Sequence, residues 1–357
     1  MFVAFAFVGV NSVLAEGHES SENKVKSAEE EELQVGKMII EHITDSYEWH
    51  IMTVGEHHIS IPLPVIIYDE GNWYVFSSSK FHHGHSEYKG FYVSEEPGPN
   101  EGKIVKKGKN GEEVRPQLDI SITKTVFAIL INAFLLIWIF MSVAKSYKRR
   151  KGQAPKGLQS LIEPLILFIR DDVAKSSIGE KRYERYLPYL LTLFFFIFLS
   201  NLMGIIPFFP GGANVTGNIG VTGVMAAFTF VITTVSGNKH YWVDIFNTPG
   251  VPWWLKIPVP LMPIVEVMGV FTKPIVLMIR LFANMSAGHT VILGFVSLVF
   301  IFGKISMGLG YGVSIVSVGF SIFLDLLELL VAFIQAYVFT LLSALYFGMA
   351  TAEPEHH

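Results

Sequence analysis

The sequence predicts an all-α polytopic membrane protein. It should have five transmembrane helices, one amphipathic helix on the cytoplasmic surface and a small β-rich exported domain in front of them. Of the 357 residues, 51% are hydrophobic and 16% are charged, whereas soluble domains carry about 25% charged residues. Several apolar runs also reach the roughly 20 residues that cross a bilayer. The chain has no cysteine, which excludes disulfides, thiolate metal ligands and a cysteine nucleophile.

The amino-terminal third is expected outside the membrane. Residues 1–15 form an apolar run that is short for a span and ends in Val13-Leu14-Ala15. We interpret this run as a signal peptide, with an uncleaved anchor as the alternative. The exported region follows at 16–120. It is acidic at first and rich in short β-type runs from about 47 to 116, with Asn110-Gly111 as a hairpin turn.

Most of the histidines lie in this exported region, including His57-His58 and His82-His83-x-His85. A metal site is one interpretation of such a cluster. However, no cysteine or carboxylate lies at a diagnostic ligand spacing. We therefore expect exposed strand and loop histidines, with neither a metal nor a cofactor.

Residues 121–357 form the membrane domain, and basic residues indicate its orientation. Lys145, Lys148 and Arg149 follow the first span directly, and such clusters favour the cytoplasmic side. The preceding domain is then periplasmic and the carboxyl terminus cytoplasmic, in a bacterial inner membrane. Residues 157–178 are too polar to span and suit an amphipathic surface helix. The predicted spans are 125–144, 187–209, 221–236, 258–302 and 306–349.

The last two spans are unusually long. At about 1.5 Å per residue, each exceeds the roughly 30 Å hydrocarbon core. They must tilt, kink or begin in the interface, with Pro260, Pro263 and Pro274 as candidate kinks. We expect them to form a tilted hairpin.

Arg280 stands inside one of these apolar runs, at an insertion cost of about 2.5–3.5 kcal/mol at the bilayer centre. Glu266 and Lys273 precede it at intervals of seven residues, so the three share a helical stripe that Asn284 continues. Small residues beyond Arg280 would let another helix pack closely. The alternatives are that Arg280 only pairs with Glu328 or Glu266, that Lys273 is a border residue, and that Glu266 is solvated.

A second set of polar residues predicts a proton relay. His289 is nine positions from Arg280 and points toward other helices of this chain. Asp325, Glu328 and Gln335 share one face of the last span. In an antiparallel hairpin His289 and Glu328 approach each other, and both can titrate near neutral pH. The alternatives are a core histidine at 289, an inter-helix contact at Gln335 and a water-filled vestibule at Asp325.

The run Lys-Pro-x5-Arg-Leu-Phe-x-Asn-Met-x-Ala-Gly at 273–288 resembles the subunit a family of F-type ATP synthases. The resemblance covers about 120–352 and includes Asn201-Leu-Met-Gly before a proline-rich turn. It implies a proton-translocating stator subunit without a catalytic site of its own. The implied partners are the c-ring, the peripheral-stalk subunit b and membrane lipid, and no nucleic acid.

The resemblance also implies roles for individual residues. Arg280 matches the stator arginine that faces the ring carboxylate and blocks proton leakage between two half-channels. Asn284 and Gln335 match polar residues beside it. His289 and Glu328 match a pair linked to the outer half-channel, in the order found in mitochondrial members rather than in many bacterial ones.

Two more positions follow from the same resemblance. Glu266 matches a residue near the cytoplasmic half-channel. Asn218 stands where many members have polar residues of the outer channel. The exported domain is absent from the typical member, so the resemblance implies nothing about its role.

Two other classes of function stay open at this point. One is a secondary transporter that binds an anionic substrate at Arg280, although the chain lacks the internal repeat common in transporters. The other is a membrane-anchored structural protein whose exported domain is the active part. The sequence holds no Walker-type phosphate-binding motif, so nucleotide hydrolysis is not expected in this chain.

Overall fold

The computed structural model describes residues 44–54, 57–82, 84, 86–96, 98–108, 111–150, 152–206, 209–246 and 261–352. Within these ranges, a region of eight short strands precedes a bundle of long helices. The predicted signal peptide, most of the acidic segment, and two members of the histidine cluster, His83 and His85, lie outside the described residues.

The strands of the amino-terminal region form three small antiparallel sheets. The first pairs β1 with β2, the second has β3 between β4 and β8, and the third has β6 between β5 and β7. In chain order the strands are β1 Glu48–Val54, β2 His57–Pro62, β3 Pro64–Asp69, β4 Asn72–Ser77, β5 Phe91–Val93, β6 Ile104–Lys107, β7 Glu113–Val114 and β8 Leu118–Asp119. The β-rich character predicted from the sequence is confirmed.

The apolar run from His57 to Asp69 forms two strands, β2 and β3, and a further strand, β1, precedes it. Pro62 and Pro64 flank the break at Leu63 and lack the backbone N–H that a continuous ladder needs. Leu63 instead exchanges hydrogen bonds with Ser78, at 3.0 and 2.9 Å. The chain can therefore leave one sheet and enter the next at this point.

The β-rich region is tied to the strand that leads into the first helix. The Tyr47 hydroxyl donates a hydrogen bond to Asp119 Oδ2 at 2.6 Å. Burial, and secondly this bond, raise the pKa of Tyr47 above its ordinary value. At the start of that helix, Lys124 N donates to Ser46 O at 2.8 Å and Thr125 N donates to Asp45 Oδ1 at 2.9 Å. The β-rich region is thus fixed to the first turn of the membrane part.

Within the described ranges, five helices are long and apolar enough to cross a membrane, and this number matches the prediction. The chain is a multi-pass membrane protein. In chain order the helices of eight or more residues are α1 Lys124–Arg149, α2 Leu158–Phe168, α3 Tyr183–Ile205, α4 Ile219–Ser236, α5 Lys239–Phe246, α6 Leu261–Ile305 and α7 Met307–Thr351. The five apolar ones are α1, α3, α4, α6 and α7.

The helix boundaries correct the predicted spans by a few residues. The first span continues five residues further, to Arg149, and α3 stops at Ile205 rather than at residue 209. Ile206 precedes a proline and has an extended backbone, with ψ of 116°, because a following proline disfavours the helical conformation. The loop that follows contains a cis peptide bond between Phe209 and Pro210. Residues 239–246, expected in a loop, form α5.

The polar segment 158–178 is helical, as predicted, but it is more than a surface helix. After α2 it continues through a π-helical stretch, Ile169–Lys175, in which Ile169, Val173 and Ala174 are fully buried. The Phe168 ring lies 5.4 Å from the Tyr337 ring. A Cβ on Gly348 would lie 2.0 Å from Ser177 O, so the backbones are in close contact there. The segment therefore packs along the carboxyl-terminal part of α7.

The charges of this segment are satisfied locally. Asp171 accepts two hydrogen bonds from the Arg170 guanidinium, at 2.9 and 2.7 Å, and forms a 2.9 Å ion pair with Lys175. The bonds from Arg170, and secondly that from Lys175, hold the pKa of Asp171 well below its usual range. The buried face of the segment can thus remain apolar.

The last two helices lie side by side and antiparallel. Each has 45 residues and they are separated only by Ser306. Their lengths, about 68 Å each, are more than twice the hydrocarbon core. The rings of Phe295 and Phe320 lie 4.5 Å apart, and Lys273 Nζ lies 5.5 Å from the centre of the Tyr346 ring. This register brings the polar residues of the two helices together.

Candidate functional site

Arg280 lies on the open face of α6. Arg280 and Asn284 are exposed, and so are Ala283 and Ala287 on the same stripe. The opposite stripe of α6 is packed against the other helices through the buried side chains of Leu277, Leu281 and Met285. The stripe around Arg280 therefore offers a charge and an amide between small side chains.

Arg280 makes no salt bridge with any residue in the described ranges. Glu266 lies about 21 Å away along α6, too far for contact. Glu328 is near His289 instead. The alternative in which Arg280 is a structural partner of Glu328 or Glu266 is therefore not supported.

His289 and Glu328 form a close pair between α6 and α7. His289 Nε2 lies 3.8 Å from Glu328 Oε1, and the side chains are 18% and 6% exposed. The backbone of α6 makes room for this carboxylate at Gly288, where a Cβ would lie only 2.8 Å from Glu328 Oε1. A carboxyl group and an imidazole so placed can exchange a proton once a small movement brings them within hydrogen-bond reach.

The helix α3 also packs against this pair. A Cβ on Gly204 would lie 3.3 Å from His289 Nε2, so the imidazole rests against the glycine backbone. One turn earlier, Asn201 Nδ2 donates to the carbonyl of Ala332 on α7 at 3.3 Å. Asn201 Oδ1 accepts a 2.6 Å hydrogen bond from Thr216. The buried Asn201 thus fixes α3 and the following loop relative to α7.

The loop between α3 and α4 contacts α6 next to the His289–Glu328 pair. Ser286 Oγ, on α6, donates to Gly217 O at 3.4 Å. Asn218 is the N-cap of α4, and its side chain accepts a hydrogen bond from Gly220 N at 2.9 Å. This cap is the role of Asn218 that the structure describes. A part in an outer channel stays a prediction.

The remaining predicted residues of α7 lie along its packed face. Gln335 is buried and two turns from Glu328, so the two side chains point the same way. By the antiparallel register of α6 and α7, it lies near the level of Asn284. Asp325 is half-buried, three residues before Glu328. The face therefore carries a row of polar groups among Ala332 and other small side chains.

A small cleft lies between α4, α5, α6 and α7. Its polar lining comes from Thr229, Thr233, Tyr241, Lys273 and Tyr346. Glu266 lies two turns before Lys273 on α6 and is half-buried. Burial, and secondly the charge of Glu266, raise the pKa of Tyr241. The cleft and Glu266 thus occupy the opposite side of Arg280 from the His289–Glu328 pair.

Among the described residues, no group of three or more histidine, aspartate or glutamate side chains is arranged to hold a metal ion. The predicted cluster around His82 is only partly within those ranges.

Sequence reasoning missed the contacts that position the pair. The sequence motif contains Asn201 and Gly204 without indicating what they contact, and no sequence pattern singles out Gly288, Thr216 or Ser286. One sequence signal could have indicated these contacts. An asparagine and a glycine one turn apart interrupt the apolar helix α3, and such residues often mark a buried polar contact or a close backbone approach.

The fold and the site define a polytopic membrane protein with an exposed intramembrane arginine beside a buried histidine–glutamate pair. The family model of the ATP synthase A chain matches residues 126–348. A second model, described as a domain of unknown function (DUF8433), matches residues 38–126. The chain belongs to the ATP synthase A chain family.

Several curated relatives named ATP synthase subunit a are similar over the same part of the chain. The protein of Chloroherpeton thalassium is 46% identical over 245 residues, which are 67% of this chain and 69% of the relative. A protein of Chlorobaculum tepidum named ATP synthase subunit a 2 is 48% identical over 243 residues, 67% and 66% of the two chains. The corresponding protein of Prosthecochloris aestuarii is 46% identical over 255 residues, 69% and 75%.

Proposed function

We propose that this chain is the proton-translocating stator subunit of a rotary ATP synthase. In this proposal Arg280 faces a carboxylate carried by a neighbouring ring of small subunits. The observation that carries the proposal is the exposure of Arg280 on a stripe of small residues in the middle of an apolar helix, without an ion-pair partner in the described part of the chain. A charge placed there at such cost requires a partner from another chain.

The need for the arginine is electrostatic. A carboxylate that enters a low-dielectric interface without a counter-charge remains protonated, because burial disfavours its charged form. The fixed guanidinium favours the deprotonated form as the carboxylate passes. Asn284 and Gln335 supply polar groups near the same level. Ala283 and Ala287 leave room for a moving partner.

Two routes then lead to the arginine from opposite sides. The pair His289 and Glu328 serves as the entrance on the side of the β-rich region, with Asn218 near its mouth. The cleft at Lys273 and Tyr346 serves as the exit toward Glu266. Along α6, Arg280 lies about 14 Å from His289 and about 21 Å from Glu266. Neither gap can be crossed by one hydrogen bond of about 3 Å.

A carrier must therefore move the proton between the routes, and the ring carboxylate provides it. This chain contributes the two half-channels and the charge that separates them, whereas ATP chemistry takes place elsewhere in the complex. We further propose that the basic end of α1, at Lys145, Lys148 and Arg149, lies in the cytoplasm of a bacterial inner membrane. The β-rich region then lies outside, and subunit b of the peripheral stalk binds the cytoplasmic side.

The test is Arg280→Ala in the assembled complex in inverted membrane vesicles. We expect loss of ATP-driven proton pumping and of ATP synthesis, while the complex still assembles. The matched control is Ile279→Ala, because Ile279 is the exposed neighbour of Arg280 and carries no charge. Normal coupled pumping by the Arg280→Ala complex would contradict the proposal. Transport of an anionic solute by this chain without an ATPase head would favour the secondary transporter instead.

A further inference from the structure

The β1–β2 hairpin, which belongs to the region of unknown function, packs against the membrane part through one aromatic side chain. Trp49 is only 3% exposed. Its ring lies edge-on to Phe127 at 5.9 Å and to Phe209 at 5.5 Å. Ala213 and Val215 complete the same buried cluster. Ile61 of β2 also packs against this cluster, and Trp49 is its buried aromatic member.

Three of these neighbours, Phe209, Ala213 and Val215, come from the loop between α3 and α4. That loop is held on its other side by α3. Gly212 N donates to Met203 O at 3.0 Å, and Thr216 donates to the buried Asn201 at 2.6 Å. The loop therefore lies between Trp49 and the end of α3, with packing on one side and hydrogen bonds on the other.

The same loop borders the ionisable pair. Gly217 O accepts the hydrogen bond from Ser286, one turn before His289. Gly204 lies between the loop and the imidazole. A Cβ at this position would lie 3.7 Å from Ala213 O and 3.3 Å from His289 Nε2. A shift of the loop would thus alter the wall against which the imidazole rests. A continuous chain of contacts runs from Trp49 through the loop to His289.

Among the described residues, the charged neighbours of His289 belong to α7. Glu328 lies at 3.8 Å and Asp325 is one turn further along that helix. The described neighbour from α3 is the uncharged backbone of Gly204, and the loop reaches α6 through the uncharged Gly217 carbonyl. The loop can therefore affect the pair through its position and through access of water, without adding a charge.

We propose that the β1–β2 hairpin forms a structural part of the outer proton entrance. In this proposal Trp49 is a positioning residue, which holds the α3–α4 loop against the His289–Glu328 pair. The hairpin itself is held by the hydrogen bonds from Lys124 and Thr125 to Ser46 and Asp45. The inference rests on the proposed function, because it assigns a role in proton entry to a region outside the ATP synthase A chain match.

The test measures proton entry in assembled complexes. In inverted vesicles stripped of the catalytic head, passive proton conduction from the lumen is driven by a potassium diffusion potential and recorded against lumenal pH. We expect Trp49→Ala to lower conduction by about three- to tenfold, the factor that corresponds to loss of the edge-on pair between Trp49 and Phe209 of the loop, and to shift its pH profile. Trp49→Phe should restore most of the conduction, since an aromatic ring still fills the site.

The matched control is Trp73→Ala. Trp73 is on β4 and 59% exposed, so its removal should leave conduction and pH profile unchanged. If the Trp49→Ala complex fails to assemble, the Phe209→Ala complex is measured in its place. Phe209 is 41% exposed, so its truncation disturbs the packing less. The same fall and shift are expected from Phe209→Ala.

The inference would be overturned if an assembled Trp49→Ala complex showed wild-type conduction and a wild-type pH profile. If Trp49→Ala does not assemble, the same result in Phe209→Ala would overturn it. Arg280→Ala, measured for ATP-driven pumping in inverted vesicles that keep the catalytic head, separates the two proposals. If Arg280→Ala abolishes pumping while Trp49→Ala conducts normally, only the role of the hairpin is wrong. If Arg280→Ala pumps normally, the proposed function itself is wrong.

Discussion

Gly288 on α6 and Glu328 on α7 are in contact so close that no side chain fits between them. A Cβ at Gly288 would lie 2.8 Å from Glu328 Oε1 and 3.3 Å from Cδ. Because His289 is the next residue, the glycine also sets how near the carboxylate comes to the imidazole, at 3.8 Å. The absence of a side chain at Gly288 is thus a condition for the pair.

The first prediction concerns this glycine. Gly288→Ala should push the Glu328 carboxylate away from His289 and lower ATP-driven proton pumping by about tenfold or more, since small displacements of reacting groups have large effects on rate. The control is Gly294→Ala, six residues later on α6, where a Cβ meets nothing within 4 Å. Gly294→Ala should retain activity. Equal activities of the two variants would show that the close contact is unimportant.

The second prediction tests whether His289 and Glu328 act as one unit. We expect the double variant His289→Glu with Glu328→His to recover more ATP-driven pumping than either single change, because one acid and one imidazole still stand at the two neighbouring positions. Residues that act independently should instead show additive losses. The measurement is the pumping rate of the four proteins at equal amounts of assembled complex. A double variant no better than the worse single one would refute a paired role.

The third prediction concerns the buried amide that joins α3, α7 and the loop. Asn201→Ala removes a partner from both Thr216 and the Ala332 carbonyl. Leaving a buried polar group unpaired costs about 1–3 kcal/mol, so we expect a lower thermal midpoint of the purified protein in detergent.

Thr192→Ala on the same helix is the control for Asn201→Ala. Thr192 is exposed, and its hydroxyl bonds only to the Pro188 carbonyl of its own helix. Its removal should change the stability by less than about 0.5 kcal/mol. Equal midpoints for the two variants would show that Asn201 does not join these elements.

Much of the fold and part of the site could be predicted from residue patterns. The five apolar runs predicted the five long helices because hydropathy over about 20 residues is a local property. The spacing of Arg280 and Asn284 predicted a shared face because helical geometry is regular, and both are exposed. The approach of His289 to Glu328 followed from two antiparallel helices and needed only their register.

Other features depended on contacts between distant segments. The path of residues 158–178 along α7 was not predicted, because the pattern of an amphipathic helix is the same whether its apolar face meets lipid or protein. The contact of Trp49 with the α3–α4 loop was not predicted either, since a short apolar run does not reveal its packing partner.

The sequence by itself determined the class of the protein, the number of membrane helices and the helix face that bears Arg280. Only the tertiary structure decided that Gly204 supports His289, that Gly288 admits Glu328 and that Trp49 reaches the α3–α4 loop. The physical reason is that helix periodicity and hydropathy are encoded within one segment. Close packing instead depends on the relative register of segments far apart in the chain, which no local pattern specifies.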